Sequence, residues 1–98
     1  MANGDRKLKW QVSFTSKAAK QVGKLSDNIQ DLLMLLISEI ENGGYIRRNW
    51  KNFSSLKKGE YHCHLKKGHP TYVACWRVNK LKNKVEFYYV GSHQKAPY

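Results

Sequence analysis

The chain has 98 residues, with 18 Lys and Arg against 7 Asp and Glu, a formal net charge of +11 and a sequence pI near 9.8. That length suits one domain and excludes two, a hydrophobic content of 41% excludes a disordered tail, and a longest apolar run of only Leu32 to Ile37 excludes a membrane-spanning helix. The cationic excess predicts a polyanionic partner, either nucleic acid or an acidic protein.

Residues 1–8 are small, polar and charged, and read as a flexible terminus ahead of a single domain over 9–98. From Trp10 the pattern alternates, with Trp10, Val12 and Phe14 on one side and Gln11 and Ser13 on the other, which predicts a half-buried strand. Thr15 or Ser16 offers a capping hydroxyl to a short helix with a narrow stripe of Ala18, Ala19 and Val22, and Gly23 ends it. Ser26 and Asp27 open a second helix, in which Ile29, Leu32, Leu33, Leu36, Ile37 and Ile40 form a wide stripe and Gly43-Gly44 supplies the stop. Met34 and Leu35 fall off that stripe. Either the first helix covers them, as in a helical hairpin, or they are an exposed apolar strip on which a partner docks.

Periodicity disappears from Tyr45 to Glu60, where Arg47, Arg48, Lys51, Lys57 and Lys58 alternate with Tyr45, Trp50 and Phe53. This predicts a basic loop with aromatic anchors, suited to RNA phosphates. Three alternating segments follow: Tyr61 to Lys66, Tyr72 to Val78, and Val85 to Val90, the last broken by Gly91. Short turns between them predict an antiparallel meander. The fold class is therefore α+β: an N-terminal strand, a helical hairpin and a three-stranded meander, forming one sheet with the helices on one face.

His62 and His64 are two apart on a strand and project from the same face, together with Lys66 and opposite Tyr61, Cys63 and Leu65. Imidazoles on a polar sheet face suit phosphodiester chemistry, because their ordinary pKa lets them act as base or acid near neutrality. Two exposed histidines on a solvated face would give the same pattern. Cys63 points away from its histidine neighbours and no C-x-x-C is present, so the spacing predicts no metal site. Cys63 and Cys75 read as buried thiols of a reducing cytoplasm, and no secretory signal is visible. His93 follows the last strand, and Lys95, Pro97 and Tyr98 complete a tail that either frays or folds back over the sheet, where the Tyr98 ring could stack on a base.

The runs Leu56, Tyr61-His62-Cys63-His64-Leu65-Lys66 and Val90-Gly91-Ser92-His93-Gln94-Lys95-Ala96-Pro97-Tyr98 resemble the RelE/ParE superfamily of bacterial toxin–antitoxin toxins, and within it the YafQ-like branch. The order of predicted elements is also that of the superfamily. The resemblance implies a ribosome-dependent mRNA endonuclease in the cytoplasm, monomeric when free and held in a hetero-oligomer by a cognate acidic antitoxin, with mRNA and the ribosome as its other partners. It implies no cofactor. His64 falls where the branch has a catalytic strand histidine, His62 and His64 fall where RelE has two lysines, His93 falls where the branch has its histidine after the last strand, and Tyr98 lies near the family's terminal aromatic. Two departures stand out. The stretch His69-Pro70-Thr71-Tyr72 carries no carboxylate where the branch has one, and Arg77 comes several residues later than the arginine of RelE.

The implied reaction is attack of a ribose 2′-OH on the adjacent phosphorus, with His64 as base and His93 as acid or the reverse. His62, Lys66 and Arg77 would stabilise charge, and Tyr98 would orient the nucleotide. Arg47, Arg48, Lys51, Lys57, Lys58 and Lys95 would hold ribosomal or messenger RNA, and Met34 and Leu35 the antitoxin. Two alternatives remain at this point, a ParE-like gyrase inhibitor and a non-catalytic basic RNA-binding module.

Overall fold

A computed structural model describes residues 9–98, and the flexible terminus expected over 1–8 lies outside the described residues. The alternation after Trp10 forms β1 (Gln11–Phe14). The Thr15 hydroxyl accepts the Ala18 amide at 3.0 Å and starts α1 (Ser16–Val22). The stripe of the second helix becomes α2 (Asp27–Gly43), which buries Ile29, Leu33, Leu36, Ile37 and Ile40. Gly44 ends it at φ 97° with its amide donating to the Ile40 carbonyl, and a Cβ there would sit 3.4 Å from the Trp10 indole nitrogen. The remaining strands are β2 (Lys51–Lys57), β3 (Glu60–Lys66), β4 (Tyr72–Asn79) and β5 (Lys84–Ser92), followed by a 3₁₀ turn at His93–Lys95.

The sheet runs β1-β5-β4-β3-β2, with β1 parallel to β5 and every other pair antiparallel. The α+β class and the meander are as expected. The basic loop is not: Lys51–Lys57 is a fifth strand at the sheet edge. Its register against β3 shifts twice, between Lys51 and Ser54 and between Ser55 and Lys57, and Asn52 takes φ 55°. Those irregularities erase the period-two alternation that would mark a strand in sequence. Gly91 does not break the last strand either, since it pairs with Val73 and β5 continues to Ser92.

The sheet buries both faces. On the first, α2 packs Leu33, Leu36 and Ile40 against Cys63, Trp76 and Phe87. On the second, Val73, Cys75 and Tyr89 are covered by Leu56, Tyr88 and Ala96. Helix α1 does not cover Met34 and Leu35, which stay 59% and 53% exposed. It lies along β5, where Gln21 Oε1 accepts the Val90 amide at 3.0 Å. No helix among the described residues is long and apolar enough to cross a membrane.

Trp76 is fully buried and donates its indole N–H to the Tyr45 carbonyl. Trp76→Ala is expected to cost about 3–5 kcal/mol of stability, and Gly44→Ala about 1–2 kcal/mol because only glycine takes its φ without strain. Urea unfolding of the two variants checks both values.

Candidate active site

Strand alternation places His62 and His64 on the second face of the sheet. His62 pairs across to Cys75 on β4 and to Ser54 on β2, and His64 pairs to Val73 and Lys51. After β5 the chain turns back over this face. The Tyr89 hydroxyl donates to the Ser92 carbonyl at 2.6 Å, the His93 amide donates to the Thr71 carbonyl at 2.7 Å, and the Ala96 amide to the His93 carbonyl at 3.1 Å. Ala96 then packs on the second core, so the tail is docked rather than frayed.

The result is a cluster of four rings. Centroids lie 5.9 Å apart for His62 and His64, 5.4 Å for His64 and His93, 5.7 Å for His93 and Tyr98, and 4.4 Å for His62 and Tyr98. His62 is the floor, only 7% exposed, with Nδ1 3.3 Å from the Ser54 hydroxyl. Burial holds its pKa below the ordinary histidine value, a hydrogen bond with the Ser54 backbone opposes this, and the charges of His64 and His93 push the same way as burial. His64 is shifted down as well, first by burial and then by His93 and Lys67. Both rings are therefore neutral near pH 7 and able to accept a proton. Burial, chiefly, pushes the Tyr98 phenol up to about 12, so it remains a neutral hydroxyl.

The other expected site residues divide. Lys51 sits directly across from His64 on the same face, as a neighbour of the imidazoles rather than a loop cation. Lys66 does not join them. The register shifts between His64 and Lys66, and Lys66 lines a groove with Asn28, Asp31, Leu32 and Leu35 of α2. Arg77 lies farther along the histidine face, where its guanidinium is 2.9 Å from Glu86 and stacks on Tyr88 at 4.4 Å. With Lys57, Glu60 and Tyr98 it borders a cleft of about 350 Å³. Arg47 is turned inward, bonding the Ile46 and Gly43 carbonyls and Glu39, and so has little left for a phosphate. Arg48 and Lys58 are exposed, and Lys57, 3.9 Å from Glu60, is largely so.

Ser54, Lys67 and Glu60 escaped the reading of the sequence. The contact of Ser54 depends on the irregular register of β2, for which the sequence carries no signal. Glu60 accepts the Tyr88 hydroxyl at 2.8 Å and borders the Tyr98 cleft. Cys63 and Cys75 lie in different cores, one on each face, and burial raises both thiols, Cys75 to about 12. Among the described residues no three His, Cys, Asp or Glu side chains are placed to hold one metal ion.

No protein-family model matches the chain, and no curated protein matches it by sequence. Solved structures do. A mutant of the E. coli toxin RelE in the free state superposes at TM-score 0.70 with 19% identity, over 90% of this chain and 87% of that one. The RelE–RelB complex of Pyrococcus horikoshii gives TM-score 0.69 at 12% identity, over 90% and 99%. A metal-bound toxin from Helicobacter pylori gives 0.66 at 18%, over 88% and 97%. The fold is that of the RelE toxins. On this RelE fold the second sheet face carries the His62, His64 and His93 imidazoles and is closed by the docked tail.

The two depressed imidazoles make stability depend on pH with a definite sign. Unfolding returns them to about 6.5, so below that value the unfolded chain binds protons that the folded chain resists. Their contribution is complete above about 6.5 and is lost as pH falls through the lower folded values. The urea midpoint is expected to be lower at about pH 5 than at about pH 7.5, and His62→Gln to reduce that difference.

Proposed function

We propose that this protein is the toxin of a type II toxin–antitoxin pair, acting in the cytoplasm as a ribosome-dependent endoribonuclease on mRNA. The observation that carries the reading is the convergence of His62, His64, His93 and Tyr98 on one face. A phosphodiester held between His64 and His93 meets two proton-transfer groups whose ring centres are 5.4 Å apart. Cleavage through the substrate's own 2′-OH needs a base for that hydroxyl, an acid for the leaving 5′-oxygen and cations near the phosphorane. His64, desolvated and neutral, is the base, and the solvent-facing His93 is the acid. Lys51, across from His64, supplies positive charge in place of Lys66. Buried His62 supports the Tyr98 ring, which stacks against the scissile nucleotide.

Clustered imidazoles able to exchange protons are not required by a gyrase inhibitor or a passive RNA-binding domain, and this is what sets the nuclease above both alternatives. An antitoxin partner is supported by the fold's occurrence in a RelE–RelB complex. The exposed Met34 and Leu35, beside the groove that ends at Lys66, offer it an apolar foothold.

His64→Ala and His93→Ala are each expected to lose about 10²–10⁴ in single-turnover cleavage of ribosome-bound mRNA while remaining folded. The wild type should leave 5′-OH ends and 2′,3′-cyclic phosphates. Near-normal cleavage by the double variant, or inhibition of gyrase supercoiling by the wild type without mRNA cleavage, would overturn the proposal. Lys51→Ala is expected to lower the cleavage rate more than ribosome affinity, with Arg48→Ala behaving in the opposite way, as parallel cleavage and sedimentation assays would show.

A further inference from the structure

Strand β1 pairs with β5 only from Lys84 to Phe87, which leaves the outer edge of β5 beyond that point to be covered by α1. The cover is incomplete. Between α1 and the end of β5 runs a cleft of about 350 Å³ whose floor includes Leu25, Tyr72, Tyr89 and the Gly91 backbone. Lys17, Lys24 and Lys95 stand around it. Among the described residues the ion pairs are Arg47–Glu39, Lys57–Glu60 and Arg77–Glu86, so these three lysines have no carboxylate partner.

Two features connect this cleft to the histidine cluster. Lys95 belongs to the same 3₁₀ turn as His93, and Ser92 lines both this cleft and the neighbouring one of about 560 Å³ formed by His93, Gln94 and the Gly68–Thr71 turn. A chain leaving the cluster past His93 can therefore follow the 3₁₀ turn into the lysine-rimmed cleft. The occupant is set by what the cleft offers. Gln21 already takes the Val90 amide, removing a backbone donor that an added peptide strand would need. What remains is a cationic rim beside the partly exposed Tyr72 and Leu25, while Tyr89 is buried beneath. Cations beside an aromatic ring are the combination that holds single-stranded nucleic acid by its phosphates and a stacked base.

We propose that the α1–β5 cleft is a second RNA subsite, which binds the single strand flanking the cleaved phosphodiester through Lys17, Lys24 and Lys95. The inference rests on the nuclease reading but concerns binding, and its test does not depend on cleavage. Lys17 and Lys24 are exposed and belong to no part of the catalytic cluster, so their replacement spares the fold.

The experiment compares wild type with K17Q/K24Q in binding a fluorescent trinucleotide and a dodecanucleotide. Both are 2′-O-methyl RNA, which has no free hydroxyl to attack. The wild type should bind the dodecanucleotide roughly tenfold tighter than the trinucleotide, and the double variant should lose most of that gain with trinucleotide affinity unchanged. The slope of log affinity against log salt for the longer strand should fall by about 1.4, two phosphate contacts at about 0.7 each. A length advantage that survives in the variant, or that is absent in the wild type, overturns the subsite. So does an oligoglutamate peptide that binds the wild type more tightly than the dodecanucleotide and depends on the same two lysines. Intact cleavage in the His64 and His93 variants would instead remove the nuclease reading and leave these affinities as measured.

Discussion

The packing of the last residues against the second face of the sheet is the contact on which the rest of the site depends. Helices cover only one face, yet β4 is apolar on both, with Ala74 and Trp76 turned to α2 and Val73 and Cys75 to the other side. Leaving Val73 and Cys75 in water would forfeit roughly 1.5–3 kcal/mol for a side chain such as valine. Ala96, with Leu56 and Tyr88, removes that exposure, and to bring Ala96 into position the chain turns just after Ser92. That turn is what puts the His93 ring beside His64. Burying the second core and assembling the cluster are one event.

Charge is distributed to the same end. Four of the seven acidic residues, Asp27, Asp31, Glu39 and Glu41, lie on α2, which covers the first face. On the histidine face Glu60 is spent on Lys57 and Glu86 on Arg77, whereas Lys51, across from His64, is in no ion pair among the described residues, so the positive charge beside the imidazoles is left free for a polyanion. Arg47 is the exception that follows the rule. It lies close to α2, and Glu39 together with the Gly43 carbonyl at the helix C-terminus claims it as a clamp.

What could be read from the sequence was whatever kept its period. The stripe of α2, the alternation of β4 and that of β3 as far as His64 survive, and with them the shared face of His62 and His64. The return of the tail was signalled only by its composition, Pro97 and Tyr98 being stiffer and more apolar than a frayed end requires. Strand β2 was hidden because its two register shifts and the left-handed Asn52 break alternation locally. Lys66 was misplaced for a related reason: counting by twos from His64 assumes a flat strand, and the register shift before Lys66 makes the count fail. Lys51 was the converse, since its place opposite His64 exists only once β2 is known to be a strand.

That exchange of Lys51 for Lys66 bears on how the cluster divides its labour. Three imidazoles at these separations cannot all be charged without repelling one another, and burial makes charge costliest at His62 and His64. Positive charge at the rim is supplied by Lys51 on the edge strand, with the solvent-facing His93 beside the neutral His64 ring and His62 beneath. A phosphate entering from solvent meets cations first and the neutral His64 behind them. Under the proposed nuclease reading, this order of burial makes the desolvated His64 the ring that takes the 2′-OH proton and leaves the exposed His93 to serve the departing oxygen. A carboxylate at the start of β4 would neutralise this gradient, and the sequence His69-Pro70-Thr71-Tyr72 leaves it in place.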